Sequence, residues 1–133
     1  MPSSVLRPMG RFRKGTPSKA MSCIFCQIAS GESSSKIIYR DDLVTAFRDI
    51  HPIARTHLLI IPNRHIASVN DLEAGDELVI GHMVIIAKEM AVQEGVAKDG
   101  YRLILNTGTH GGQTVLHLHL HLIAGKVTRF ILG

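Results

Sequence analysis

Near the C-terminal end of the chain, histidines alternate with aliphatic residues over positions 115–123. Successive side chains of a β-strand point to opposite faces, so an extended chain places His117, His119 and His121 on one face, about 7 Å apart. This pattern predicts a strand over residues 115–124. The opposite face would anchor the strand in the core through Leu116, Leu118, Leu120 and Leu122.

The rest of the hydrophobic pattern predicts four further strands and two helices. Strand-like segments occupy residues 36–40, 43–48, 57–62 and 101–106, and Asp41-Asp42 forms the turn of a hairpin. A short helix begins near Cys23, and a long helix extends from about Asn70 to Gly95, with Asp71 as a candidate N-cap. The predicted fold is an α+β domain with a five-stranded antiparallel sheet and two helices.

The long predicted helix is apolar around more of its circumference than one core contact requires. A helix of this kind is buried on two sides. We therefore expect one side to pack on the sheet and the other on a second subunit, whereas His82 within the helix is expected to be structural. The apolar residues are Leu78, Val79, Ile80, Met83, Val84, Ile85, Ile86, Ala87, Met90 and Val92.

The length and composition of the chain suit one folded domain. It has 133 residues, of which 45% are hydrophobic, and no apolar run long enough to span a membrane. Two cysteines are too few for a disulfide framework. These features predict a soluble, cytoplasmic protein without a membrane partner.

The net charge of +4 is concentrated in the first part of the chain. Residues 1–22 contain five basic residues and no acid, which leaves a net charge of −1 for residues 23–133. A nucleic-acid-binding patch on the domain is therefore not expected. We expect residues 1–22 to form a flexible extension ahead of a domain over 23–133. The alternative is a mitochondrial targeting segment, since such peptides are rich in Arg and Ser and poor in acids.

Two further segments carry candidate chemistry. Cys23 and Cys26 could hold a metal such as zinc, cycle as a redox pair, or be small buried residues. Residues 107–114 are rich in glycine and polar side chains, which suits contact with an anion. Because this loop leads directly into the histidines, it favours phosphoryl or nucleotidyl transfer on an imidazole over a metalloenzyme site. Simple core packing of three imidazoles is the least favoured alternative, because buried polar groups need partners.

The histidine segment resembles the signature of the histidine triad (HIT) family, in which three histidines alternate with hydrophobic residues. The chain is most similar to the zinc-containing, Hint-like branch of that family, the purine nucleoside phosphoramidases. The resemblance extends over almost all of the chain from residue 23 onward. The blocks that carry it are Cys23-Ile24-Phe25-Cys26, Phe47-Arg48-Asp49-Ile50, residues 56–65, Asn106-Thr107-Gly108 and residues 112–122.

The resemblance implies the catalytic residues. His119 would attack the α-phosphorus of a nucleoside monophosphate ester or amide, and water would hydrolyse the resulting nucleotidyl-histidine. His121 and His57 would contact the phosphate and assist proton transfer, together with Gln113 and Thr114.

The resemblance also implies a nucleotide site and a metal site. Asp49 would bind the ribose hydroxyls, and Asn106, Gly112, Gln113 and Thr114 would surround the phosphate. The purine would lie between Phe25, Ile28, Phe47 and Ile50. A structural zinc ion, not required for the chemistry, would bind Cys23, Cys26, His65 and His117.

The expected function is hydrolysis of purine nucleoside 5′-monophosphoramidates by a homodimer with a continuous ten-stranded sheet. Two alternatives stay open. The first is hydrolysis of dinucleoside polyphosphates, and the second is a nucleotide-binding adaptor with incidental turnover.

Overall fold

The computed structural model describes residues 23–125, which form one five-stranded antiparallel sheet with a helix on each face. The spatial order of the strands is β1-β2-β3-β5-β4. This confirms the α+β fold predicted from the hydrophobic pattern. The elements in chain order are α1 (Ile24–Ala29), β1 (Ile37–Arg40), β2 (Val44–Arg48), β3 (Thr56–Pro62), α2 (Glu77–Gln93), β4 (Arg102–Leu105) and β5 (Leu120–Ala124).

The two faces of the sheet have different neighbours because side chains alternate along each strand. On β3, Leu58 and Ile60 belong to the cluster that packs against α2, and Leu59 and Ile61 belong to the cluster that packs against α1. On the α2 side the buried helix residues are Met83, Ile86, Ala87, Met90 and Ala91. Their helical spacing gives α2 one stripe facing the sheet.

The histidine segment is only partly a strand, which corrects the prediction of a strand over residues 115–124. Strand β5 begins at Leu120, because its pairing with β3 ends at the pair Ile60–Leu120. Farther along β3, Pro62 has no N–H to donate to the ladder. The backbone N–H of Leu118 instead donates to the carbonyl of Ile66, at 2.7 Å.

The predicted leucine face is correspondingly incomplete. Leu118, Leu120 and Leu122 are buried, whereas Leu116 is 67% exposed. Leu116 lies ahead of the segment that re-enters the sheet, so strand alternation does not determine its direction. It therefore takes no part in the core.

Helix α2 begins later than predicted, at Glu77 and not near Asn70. Two short 3-10 turns, Val69–Asp71 and Ala74–Asp76, precede it. Asp71 is therefore not its N-cap. A capping box in which Glu73 and Asp76 exchange side-chain and backbone hydrogen bonds forms the entry to the helix.

The hairpin turn between β1 and β2 is built on Asp41, as predicted. Its Oδ1 accepts from the backbone N–H groups of Leu43 and Val44, at 2.8 and 2.9 Å. Its Oδ2 accepts from Tyr39 and from Nε2 of His82, both at 2.6 Å. His82 thus has the structural role expected of it, since it ties α2 to the hairpin.

Residues 1–22 and 126–133 lie outside the described part of the chain, and so do the predictions made for the N-terminal extension. Within residues 23–125, no helix combines the length and the apolar character that a membrane crossing requires. The cytoplasmic location stays a prediction.

Candidate active site and metal centre

A cavity of about 770 Å³ lies on the α1 side of the sheet. Ten of the residues predicted to bind nucleotide or act in catalysis line it. Residues from α1, β2, β3, β5 and the loop before β5 therefore meet at one place. The ten are Phe25, Ile28, Phe47, Asp49, Ile50, His57, Asn106, Thr114, His119 and His121.

The hydrogen bonding of His119 determines which of its ring nitrogens carries the proton. Nδ1 of His119 lies 2.7 Å from the backbone carbonyl of His117. A carbonyl oxygen can only accept, so Nδ1 is the N–H donor in this bond. In the neutral ring, Nε2 then carries a lone pair, which is the requirement for a nucleophile.

A second series of hydrogen bonds orients His57 and His121. The backbone N–H of Ile53 donates to Nδ1 of His57 at 3.2 Å, so the proton of the neutral His57 ring is on Nε2. That Nε2 lies 3.0 Å from Nδ1 of His121 and 3.4 Å from Oδ2 of Asp49. Nδ1 of His121 therefore accepts, and Nε2 of His121 is left as an N–H donor.

The rings of His57 and His121 are both held in the neutral form. The pKa of His121 is lowered from 6.5 to about 4, first by burial and then by the neighbouring rings of His119 and His57, against the opposing charge of Asp49. Burial also lowers the pKa of His57, and Asp49 again opposes the shift. At neutral pH the rings of His57 and His121 are therefore uncharged, and they lie beside the charged carboxylate of Asp49.

Apolar side chains form a wall of the cavity that adjoins His119. The ring of Phe25 packs edge-on against Phe47, with centroids 5.5 Å apart, and edge-on against His119, at 5.1 Å. Such a wall suits the faces of an aromatic base. Asp49 is held beside it, since its Oδ1 accepts from the backbone N–H of His51 at 2.8 Å.

The structure places Gly112 and Gln113 away from the cavity lining. The Gln113 amide donates to the carbonyls of Ala67 and Val115 and accepts from the N–H of Gly108. Its amide is thus used to hold the loop together and to attach it to Ala67, in the segment after β3. Gly112 has a φ of +86°, a conformation that favours glycine. These two residues shape the loop, and His110 on the same loop is exposed and not part of the lining.

A second cluster brings together all four predicted metal ligands. One donor atom from each of Cys23, Cys26, His65 and His117 lies within 4.8 Å of the others. The Sγ atom of Cys26 is 3.2 Å from Nδ1 of His65 and 3.5 Å from Nδ1 of His117. The Sγ atom of Cys23 is 3.3 Å from the same His117 nitrogen. Sulfur and nitrogen ligands of one tetrahedral zinc ion are separated by about 3.5 Å, so the donor set fits that metal.

Hydrogen bonding supports metal binding at this cluster. Nε2 of His117 donates to the carbonyl of Pro62 at 2.9 Å, which leaves a lone pair on Nδ1, facing the cysteines. The ring is fully buried, and burial lowers its pKa to about 4. The neutral ring is the form that a metal requires.

Asp49, His57 and His121 also converge closely enough to contact one ion. Their hydrogen bonding does not suit this. Nε2 of His57 carries the proton because Ile53 donates to Nδ1, so this nitrogen has no lone pair for a metal. The two clusters therefore differ in chemistry. The cysteine cluster offers lone pairs to a cation, whereas the cluster with Asp49 contains an ordered series of N–H groups.

Several cavity residues were not among those predicted. The backbone of Ile53 orients His57, and no local sequence pattern indicates such a contact. The run Ser33-Ser34-Ser35, in the connection between α1 and β1, also lines the cavity. The other additions are Ile24, Arg48, His51, Leu59, Ile104, Val115 and Ile123.

Comparison with known proteins identifies relatives over most of the chain. A family model described as the HIT domain matches residues 30–128. The chain is 55% identical over 107 residues to the purine nucleoside phosphoramidase of Escherichia coli (strain K12), covering 80% of this chain and 90% of that protein.

Two solved structures extend the comparison. The fold is similar to that of a HIT family hydrolase from Legionella pneumophila Philadelphia 1, with a TM-score of 0.80, 45% identity and coverage of 84% of this chain and 99% of that one. It is also similar to a Zn-bound histidine triad family protein from Mycobacterium smegmatis, with a TM-score of 0.71, 32% identity and coverage of 83% and 79%. The resemblance inferred from the histidine motif is thereby confirmed.

The buried neutral histidines predict a pH dependence of stability. Between pH 6.5 and about 4, the unfolded chain binds a proton at His121 that the folded chain does not. The free energy of unfolding should therefore decrease as the pH falls through this window, and this contribution should be constant above it. Urea denaturation of wild type and His121→Asn across the window measures the effect.

The variant should show a shallower decrease than wild type, because one depressed pKa has been removed. His110→Asn is the matched control, since that exposed ring lies outside the cluster and its loss should leave the wild-type slope. Equal slopes for wild type and His121→Asn would contradict the prediction.

Proposed function

The chain belongs to the HIT family, and we propose that it hydrolyses purine nucleoside 5′-monophosphoramidates through a nucleotidyl-histidine intermediate. The observation that carries this proposal is the hydrogen bond from Nδ1 of His119 to the carbonyl of His117. It leaves Nε2 of His119 with a lone pair in a cavity that has apolar walls for a base and a carboxylate for a ribose. The name of the Escherichia coli relative supports the same substrate class.

The first step forms a bond from Nε2 of His119 to the α-phosphorus and breaks the phosphorus–nitrogen bond of the substrate. The electron pair of the broken bond stays with the leaving amine, which takes up a proton. Nε2–H of His121 is the donor available on the adjacent ring, whose centroid is 5.0 Å from that of His119. The proton that is given up is one that the hydrogen-bonded pair of His57 and His121 has taken up beforehand, so the pair returns to its neutral form and no imidazolate is left.

In the second step water attacks the phosphorus, and the bond to His119 breaks. The products are a nucleoside 5′-monophosphate and the regenerated neutral imidazole. The attacking water loses a proton, which the neutral, hydrogen-bonded pair of His57 and His121 can accept. The ring of His121 is uncharged at neutral pH and has a free acceptor, and the proton that the pair takes up here is the one that it gives to the leaving amine in the next turnover.

Asp49 and the loop before β5 are assigned to substrate positioning. Oδ2 of Asp49 lies at the cavity and can accept from a ribose diol. Asn106 and Thr114 line the same cavity and can contact the phosphate. Gln113 acts through the loop that it crosslinks and not by direct contact.

Replacement of the nucleophile tests the chemistry. His119→Ala should reduce kcat for an AMP-amine conjugate by about 10³-fold or more, because no other group can form the covalent intermediate. AMP affinity, measured by calorimetry, should change only a few-fold. Wild type incubated with a slow substrate should give a peptide nucleotidylated on His119 in mass spectrometry.

His110→Ala, which removes an exposed ring outside the cavity, should keep wild-type kcat and serves as the matched control. Turnover by His119→Ala within tenfold of wild type would refute the mechanism. Higher kcat/KM for a dinucleoside polyphosphate than for the AMP-amine conjugate would assign the chain to the alternative hydrolase. Partner binding that survives without any turnover by wild type would favour the adaptor.

We further propose that Cys23, Cys26, His65 and His117 hold a structural zinc ion. When bound, zinc would crosslink α1, the segment after β3 and the segment before β5, which together support the cavity. All four ligands would come from protein, so the coordination would be closed and would not serve catalysis. The proposal is supported by the distances within the cluster and by the Zn-bound Mycobacterium smegmatis relative.

Metal analysis tests this assignment. Protein purified without chelator should contain about one zinc per chain, and Cys26→Ser should lose it together with several degrees of Tm. His51→Gln, which leaves the four ligands intact, should keep both. Wild-type protein with no zinc would exclude the site, and a metal-free protein that is folded but inactive would contradict a purely structural role.

We also propose that the chain forms a homodimer through α2 and β4. Leu78, Ile85 and Val92 follow one another at intervals of seven and form an exposed apolar stripe on α2. Strand β4 lies at an edge of the sheet, and its Leu103 and Leu105 are partly exposed. Pairing of two such edges would extend the sheet to ten strands and cover the stripe.

A pair of matched leucines tests the dimer. Leu105 is 38% exposed on β4, and Leu43 is 36% exposed at the turn that ends β1, the opposite edge strand. Leu105→Lys should shift the mass in sedimentation equilibrium from dimer toward monomer, because it places a charge at the interface. Leu43→Lys should not. A monomeric wild type would refute the proposal.

A further inference from the structure

Ser33, Ser34 and Ser35 form a polar strip at the edge of the cavity that the mechanism above does not use. This serine segment connects α1 to β1, and all three residues line the cavity. The apolar residues of the nearby wall come from α1 and β2. Hydroxyl groups are therefore present where the lining is otherwise suited to stacking.

The hydroxyl groups of the serine segment have no hydrogen-bond partner among residues 23–125. The backbone carbonyl of Ser35 accepts from the N–H of Ile37, but none of the three Oγ atoms is bonded to protein. Ser33 and Ser35 are half-buried. Polar atoms in such positions bond water or a ligand.

The strand order places the serine segment at the side of the cavity away from the histidines. It leads into β1, whereas His57 is on β3 and His121 is on β5. Three strand spacings, about 14 Å, separate β1 from β5. Between them β2 contributes Phe47, and Asp49 follows directly.

From β1 toward β5, the cavity is thus lined first by the serine hydroxyl groups, next by the apolar wall with the carboxylate of Asp49, and last by the histidines. A nucleotide whose phosphate lies at His119 and whose ribose lies at Asp49 must direct its base toward β1. The outer edge of a purine carries its exocyclic group and ring nitrogens. These are the atoms that would meet the serine hydroxyls.

We infer that the hydroxyl groups of the serine segment form hydrogen bonds with the polar edge of the purine and thereby determine base specificity. The inference rests on the proposed function, since it assumes the same nucleotide orientation. A hydroxyl group both donates and accepts, so the segment can satisfy the amino group of adenine and the keto group of guanine. A base that presents no such group leaves the hydroxyls without that partner and binds less well.

Nucleotide affinity tests this inference. The triple variant S33A/S34A/S35A is compared with wild type by calorimetry, using AMP and purine riboside 5′-monophosphate, which lacks the exocyclic amino group. AMP affinity should fall about 3- to 10-fold in the variant, and affinity for the purine riboside nucleotide should fall less. The unequal loss is the signature of edge recognition, and retained affinity for the second nucleotide shows that the variant is folded.

The turnover kinetics provide a second readout. KM for an AMP-amine conjugate should rise with kcat unchanged, because the serines contact the base and not the reacting atoms. Glu32→Gln is the matched control, since Glu32 precedes the segment, is exposed and does not line the cavity. It should keep wild-type AMP affinity.

The outcomes separate this inference from the proposed function. An equal loss of affinity for both nucleotides, or no loss for AMP, would overturn the inference even if wild type turns over the AMP-amine conjugate. An unequal loss in a protein that shows no turnover would support the inference and refute the proposed reaction.

Discussion

The site depends on the path of the backbone at His117. The carbonyl of this residue accepts from Nδ1 of His119, and its ring donates to the carbonyl of Pro62. In a regular strand ladder the carbonyl of His117 would accept from a backbone N–H of the neighbouring strand, whereas here pairing of β5 with β3 ends at Leu120. The departure from the strand therefore determines the proton positions of two imidazoles. One presents a lone pair to the cysteines, and the other presents a lone pair to the cavity.

This arrangement divides the three histidines among different environments. His117 is fully buried and belongs to the cysteine cluster, whereas His119 and His121 line the cavity. Phe25 lies between the two regions, with its ring edge-on to both His117 and His119. A metal bound at the first cluster would thus stabilise the residues around the second without entering its chemistry.

The sheet supports these residues through its two unequal faces. The α2 side is filled by aliphatic side chains, and most of the free energy of folding from burial comes from there. The α1 side holds a smaller apolar cluster next to the cavity. Strand alternation connects the two, since Leu120 and Leu122 pack toward α2 while His121 between them faces the cavity. The packing of these two leucines in the core thus fixes the position of His121 on the opposite face of the sheet.

The sequence alone determined which elements form and which residues converge. Alternation and helical spacing are local properties, and they predicted the five strands, the two helices and the shared face of the histidines. Resemblance to the HIT family supplied the ten predicted residues that line the cavity, and also the four clustered metal ligands, which come from three separated segments. Local pattern was wrong at residues 115–119, where the N–H of Leu118 bonds to the distant carbonyl of Ile66, and at the start of α2, where the capping box of Glu73 and Asp76 forms the entry.

Only the tertiary structure decided the proton positions and the use of each polar group. The tautomer of His57 depends on the backbone of Ile53, and that of His119 depends on a carbonyl two residues away that has left the ladder. Gln113 and the serine segment are both polar in the sequence, yet Gln113 bonds to its own loop and to Ala67, whereas the serine hydroxyls have no partner among residues 23–125. A hydrogen bond is set by distance and direction between groups, and neither is a local property of the chain.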